Sequence, residues 1–162
     1  MDRFLGSDMM DPMRMSLKRV MTPFPHAVDT NASVTEAIDL MEEHGIHHLP
    51  VTDSGRLHGI VSDADLRVAR AVGGGTRLDP SMPVGLICTM NPYVAPLDTP
   101  LAEVATTMAS RRLGSALVTR NGKLVGILTT TDVCRALAEL LGSVPPEDPA
   151  KRLEARSANK AQ

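Results

Sequence analysis

The amino-acid sequence predicts a mixed α+β protein built from two tandem copies of one strand-helix-strand-strand-helix unit, and three observations carry that prediction. First, Glu36 and Glu103, Met41 and Met108, Val51 and Val118, Gly55 and Gly122, Gly59 and Gly126, and Asp65 and Asp132 each stand 67 positions apart. A single register that also aligns glycines marks an internal repeat. Second, apolar residues recur at helical spacing in matching places, at Val34, Ala37, Ile38 and Met41 and again at Leu101, Val104, Ala105 and Met108. Third, Ser54-Gly55 and Asn121-Gly122 each separate two aliphatic runs, as the turn of a hairpin does.

The elements follow in order. Each copy opens on a short strand after a Met-x-Pro segment. There the register shifts to 69, pairing Met21-Thr22-Pro23-Phe24 with Met90-Asn91-Pro92-Tyr93, so two extra residues are expected near Asn31 in the first copy. The first helix begins at the capping box Ser33-Val34-Thr35-Glu36, and its counterpart at Thr99, with Pro100 as the first helical residue. Hairpin strands are expected over Leu49 to Thr52 and Leu57 to Val61, then over Ala116 to Thr119 and Leu124 to Leu128; His58 is a strand residue. Second helices run from about Asp63 to Val72 and from Thr130 to Leu141, with Gly73 and Gly142 in the C′ place. The organisation is thus a flexible N-terminal segment over 1–15, a first repeat over 16–72, a Gly- and Pro-broken linker over 73–83, a second repeat over 84–142 and a flexible tail over 143–162.

Composition narrows the function. At 162 residues, 43% hydrophobic and 22% charged, the chain resembles an average globular domain. Lys and Arg number 17 against 19 Asp and Glu, giving a net charge of −2, so the basic excess of a nucleic-acid binder is missing. Aromatics are 2% with no Trp, which leaves an aliphatic core and no extended stacking platform. Cys88 and Cys134 form no CxxC and read as two buried thiols in a reducing cytoplasm. Asp2, Asp8 and Asp11 break any signal-peptide core, and no run nears the ~20 apolar residues of a membrane span, so a soluble protein is expected.

The chemistry concentrates where each hairpin ends, at Gly59-Ile60-Val61-Ser62-Asp63-Ala64-Asp65 and Gly126-Ile127-Leu128-Thr129-Thr130-Thr131-Asp132. Hydroxyl-x-x-Asp before a helix is a capping box, which is a complete structural explanation of the spacing. It is compatible with a second role, because a helix N-terminus with a hydroxyl suits a phosphate and a carboxylate accepts hydrogen bonds from a ribose diol. Glycine inside a strand also marks a close approach by another group. No GxxxxGK[ST] or GxGxxG occurs, which excludes a P-loop or a Rossmann fingerprint. His44, His47 and His48 lack a matching Cys or carboxylate ligand set, and the second copy has Arg111, Gly114 and Ser115 there, so no metal is expected. His44 suits a helix C-terminus. Neither cysteine has a His/Asp partner, which argues against catalysis.

These segments resemble a pair of cystathionine β-synthase (CBS) domains over roughly Leu17 to Leu141. The resemblance rests on Val20-Met21-Thr22-Pro23, Ile46-His47-His48-Leu49-Pro50-Val51, Leu57-His58-Gly59-Ile60-Val61-Ser62-x-x-Asp65 and their second-copy counterparts. It implies two repeats packed face to face with pseudo-twofold symmetry, no required cofactor, and adenosine derivatives such as AMP, ADP, ATP or S-adenosylmethionine bound in two clefts. It further implies that Asp65 and Asp132 hold ribose, that Ser62, Thr129 and Thr131 contact phosphate or ribose, that the segment carrying His47, His48 and Pro50 reaches phosphate, and that the strands after Pro23 and Pro92 line the adenine pockets. Ser115 stands at the corresponding place in the second copy, where Gly114 and Ser115 offer no cation. The cleft with His47 and His48, placed beside the Ser62 helix start, is therefore expected to favour ligands with more phosphate. Phe24 and Tyr93, in matched positions, are candidates to flank a base or to pack in the core. The last helix carries Val133, Cys134, Ala136, Leu137, Ala138, Leu140 and Leu141 over an arc too wide for one core face, so a homodimer is expected. A regulatory target would act in trans. The alternative functions are a constitutive interaction scaffold and, with least support, a nucleic-acid binder.

Overall fold

The hairpins form where the turn residues place them. Ser54 and Gly55 (φ 50° and 78°) and Asn121 and Gly122 (φ 51° and 73°) all take the left-handed backbone of a two-residue turn whose twist matches the strands it joins. The computed structural model describes residues 15–72 and 79–142; the N-terminal residues 1–14, positions 73–78 of the expected linker and the tail over 143–162 lie outside it. The elements are α1 (Leu17–Val20), β1 (Thr22–Pro23), β2 (Val28–Asp29), α2 (Val34–His44), β3 (His48–Asp53), β4 (Arg56–Ser62) and α3 (Asp63–Val72). A 3-10 turn (Val84–Leu86) leads into β5 (Thr89–Met90), β6 (Val94–Pro96), α4 (Leu101–Ser110), β7 (Ser115–Arg120), β8 (Lys123–Thr129) and α5 (Thr130–Leu140). The α+β class is as expected. None of the described helices is long and apolar enough to cross a membrane.

The repeats exchange their leading strands. One sheet runs β1-β8-β7-β6 and the other β2-β3-β4-β5, so each is completed by a two-residue strand from the other copy. Thr22 pairs with Ile127 and Pro23 with Gly126, while Thr89 pairs with Ile60 and Met90 with Gly59. The cores follow the same exchange. Leu17, Val20 and Met21 pack with Ala95, Leu101, Val104, Val118 and Leu128, and Val84 packs with Val34, Ala37, Leu49, Val51 and Val61. Strands β4 and β8 touch across the junction of the two sheets. Because each core holds apolar side chains from both copies, neither copy buries its aliphatic residues alone.

The exchange corrects the register of the leading segments. Ile60 and Ile127 are 67 apart and face Thr89 and Thr22, so Thr22 matches Thr89, and Phe24 matches Asn91, not Tyr93. The backbone agrees, since Phe24 (φ 46°) and Asn91 (φ 55°) share the left-handed conformation. The bridges Ser16 to Pro100 and Ser33 to Pro83 carry the 67-residue register back to position 16, and no two-residue insertion exists near Asn31. The Met-x-Pro likeness misleads because Cys88 takes the place of Met21: both sit against the strand glycine of the sheet they complete.

Two further expectations change. The counterpart of the Ser33 capping box is not Thr99, because α4 begins at Leu101 with Pro100 at the N-cap, held extended (φ −57°, ψ 136°) in its bridge to Ser16. Of the two thiols, Cys88 is half-buried and Cys134 is exposed on the outer side of α5. The arc of α5 is divided accordingly. Ala136 is buried and Val133 packs on the core, while Leu137, Leu140 and Leu141 remain exposed.

Candidate functional site

Both hairpin exits are closed by the capping box. Ser62 N and Oγ each donate to Asp65 Oδ2 at 2.7 Å, and Asp65 N donates back to Ser62 Oγ at 3.2 Å. Thr129 N and Oγ1 donate to Asp132 Oδ2 at 2.9 and 2.7 Å, and Asp132 N returns to Thr129 Oγ1 at 3.3 Å. The carbonyl before each β3-type strand anchors the same helix start: Asp63 N donates to His47 O at 3.1 Å, and Thr130 N to Gly114 O at 3.0 Å. The two acids differ in burial. Asp65 is half-buried, whereas Asp132 is 0% exposed, with Arg135 Nη1 3.8 Å from Oδ1. Two turns beyond Asp132 on α5, Glu139 meets Arg19 of α1 at 3.8 Å.

Exchange of β1 builds a cleft from both copies. Thr22, Pro25 and His26 from the leading segment, Gly45 to His48 between α2 and β3, Gly114, and Ile127 with Thr129 to Thr131 enclose about 180 Å³. Pockets that hold small molecules span about 300–1,000 Å³, so a nucleoside here would extend beyond the enclosed part. Of the residues singled out from sequence, the cleft brings together His47, His48, Thr129 and Thr131. Register does set His48 opposite Ser62, and His47 Nδ1 lies 3.3 Å from Asp63 Oδ2. The cleft nevertheless joins both histidines to the hydroxyls of the opposite copy, because β4 and β8 pack together and carry the β8 exit across to the start of β3.

The other expected site residues lie elsewhere. Ser62, Asp65, Asp132 and Ser115 are not among the lining residues, Ser115 being paired with Thr129 in its ladder. Pro50 is fully buried. Phe24 is 80% exposed on its left-handed backbone, and Tyr93 packs on the core beneath Arg111, whose Cζ is 5.6 Å from the ring centre. Thr22 and His26 line the cleft and were not singled out individually, although His26 lies in the segment after Pro23 expected to line an adenine pocket. The signal for His26 is its distance of 67 from Tyr93, visible once the register is corrected.

The electrostatics modify the expected phosphate preference. Burial pushes the His48 imidazole below its usual range, more than the nearby Asp63 charge pulls it up. His26 is lowered by burial and then by His44. At Asp63 burial works upward, but Arg67 and then His47 outweigh it and hold the carboxyl low. The side chains of Arg67 and Asp63 form an i,i+4 ion pair. Two of the cleft's three histidines are thus held toward the neutral form, and among the described residues no Lys or Arg lines it. The cleft offers hydroxyls and imidazoles, not a fixed cation.

The family model described as CBS domain matches residues 17–71 and 84–139. A CBS domain-containing protein of Dictyostelium discoideum is 28% identical over 144 residues, spanning 83% of this chain and 99% of its own. The solved CBS domain pair of protein MJ0100, in complex with 5′-methylthioadenosine and S-adenosyl-L-methionine, is 28% identical with a TM-score of 0.68, covering 77% of this chain and 97% of that one. CBSX2 in complex with AMP is 30% identical with a TM-score of 0.66, covering 78% and 98%. With both copies matched and the paired architecture shared, the chain belongs to the CBS domain family and carries a pair of CBS domains.

Proposed function

We propose that this chain is a non-catalytic regulatory module that senses an adenosine derivative, one of AMP, ADP, ATP or S-adenosylmethionine, in a cleft shared by its two CBS domains. The observation that carries the reading is the cleft where Thr22 and His47-His48 of one copy face Thr129 and Thr131 of the other. Hydroxyls at the start of α5 suit ribose or phosphate oxygens, and a ligand touching both copies favours the arrangement in which they are close. The related structures with AMP and with 5′-methylthioadenosine and S-adenosyl-L-methionine support this ligand class.

The test is a thermal-shift panel of AMP, ADP, ATP, cyclic dinucleotides and S-adenosylmethionine. A ligand at a hundredfold its Kd stabilises the folded state by about 2.7 kcal/mol, or roughly 5–10 °C for a chain of this size. No shift above about 1 °C at millimolar ligand would overturn the reading. That result would select an interaction module without ligand, which the buried, cap-forming Asp132 favours for its own copy. We further assign the exposed Leu137, Leu140 and Leu141 to contact with a second copy. Sedimentation equilibrium at tens of micromolar should show a dimer, and monomer alone rejects it.

A further inference from the structure

We infer that the chain pairs antiparallel with a second copy of itself, the groove between the helices of its first CBS domain meeting the groove between the helices of the partner's second domain; the inference rests on the contact with a second copy assigned above. Apart from the shared cleft, a groove of about 300 Å³ lies between α2 and α3, and one of about 400 Å³ between α4 and α5. Each residue lining the second stands 67 positions beyond one lining the first, so the two grooves are images of each other in the repeat. Met41, Ile46 and Leu66 line the first with apolar side chains, and Met108, Leu113 and Val133 line the second. The apolar surface runs on beyond both. Leu137, 55% exposed, stands one turn past Val133 on α5, and Val68, 61% exposed, lies on α3.

What differs between the two images is charge, and the difference decides the orientation. Glu42, His47, Asp63 and Arg67 give the first groove its polar rim, with Asp63 and Arg67 paired within α3. In the second, Ala109, Gly114 and Thr130 take the places of Glu42, His47 and Asp63, and Arg112 stands where the first has Gly45. The flanking helices extend the contrast. Glu36, Asp39, Glu42 and Glu43 are exposed on α2, which carries no Lys or Arg, whereas α4 has Glu103 as its one acid and runs into the exposed Arg111 and Arg112. A parallel pair would set α2 against α2 and bring like charges together. The antiparallel pair sets the acids of α2 against the partner's Arg112, and the twofold axis makes that contact twice. Both grooves of each chain are then covered by the one partner.

Sedimentation equilibrium of the full chain and of charge-reversed variants tests the orientation, with denaturation midpoints showing that each variant is folded. Glu42→Arg and Arg112→Glu are each expected to weaken the dimer by about tenfold or more, since each places like charges across both contacts. The double variant Glu42→Arg/Arg112→Glu should return to within about threefold of wild type, and an equimolar mixture of the two single variants should associate more tightly than either alone. A parallel dimer gives a different pattern. There Glu42 faces Glu42 and Arg112 faces Arg112, so reversal leaves like charge on like and every variant alone dimerises as the wild type does. Single variants that keep wild-type affinity, or single variants that weaken without recovery in the double variant, would overturn the antiparallel pairing and leave the contact with a second copy intact. A wild-type chain that stays monomeric at tens of micromolar would overturn both.

Discussion

Asp132→Ala is expected to lower stability by about 3 kcal/mol, and Asp65→Ala, its match in the repeat, by only about 1 kcal/mol. Both carboxylates accept two hydrogen bonds from the hydroxyl residue three positions earlier, so loss of the cap is common to both and costs about 1 kcal/mol. The difference lies in burial. Asp132 is 0% exposed, its second oxygen is 3.8 Å from Arg135, and the Arg135 side chain is itself only 27% exposed. Breaking a buried charge pair costs about 3–5 kcal/mol, and the long separation places this pair at the weak end of that range. Asp132→Asn keeps the shape and one acceptor while removing the charge, so it should fall between wild type and alanine. Urea denaturation of the variants measures the differences, and equal losses at the two positions would show that burial of Asp132 contributes nothing beyond the cap. The same samples separate the roles of the acid: a variant that loses stability but keeps ligand affinity when folded has lost a cap and not a ribose contact.

The hairpins, the Ser33 capping box and the helix faces were legible because each is specified by residues within one turn or one strand. Asn121-Gly122 needs no tertiary context to form its turn, and Glu36 reaches the Ser33 amide at 2.7 Å from three residues away. The exchange of leading strands was not legible, since β1 and β5 are two residues long and a dipeptide has no periodicity that says which sheet it joins. That hidden exchange propagated into the site. It moved His47 and His48 into a cleft with the opposite copy's hydroxyls, replaced the Phe24–Tyr93 match by His26–Tyr93, and left Phe24 outside. It also separated the two acids. The four-residue helix α1 packs on α5 and brings Arg19 to Glu139, whereas the matching segment of the second copy is a 3-10 turn packed on β4. Identical motifs thus acquire different burial from neighbours far away in the chain.

Gly59→Ala is expected to cost about 2–3 kcal/mol, and Gly126→Ala about 1 kcal/mol, although the two glycines occupy the same place in the repeat. Each lies on its sheet's inner strand against the leading strand supplied by the other copy. A β-carbon at Gly59 would stand 2.8 Å from the backbone oxygen of Thr89 and 2.9 Å from Cys88 Sγ. The carbonyl belongs to β5 and cannot turn away without breaking the short ladder that joins the copies, so the strand itself must shift. At Gly126 the nearest three atoms all belong to the Met21 side chain, Sδ the closest of them. That overlap is closer, yet methionine has three rotatable bonds and adapts at lower cost, even though Met21 is only 4% exposed. Denaturation midpoints of the two variants test the order, and a larger loss at Gly126 would overturn it. A double-mutant cycle with Cys88→Ala then divides the Gly59 cost between its two obstacles. Removing the sulfur should recover only part of the loss, because the Thr89 oxygen remains; full recovery would show that the thiol, and not the exchanged strand's backbone, requires glycine at position 59.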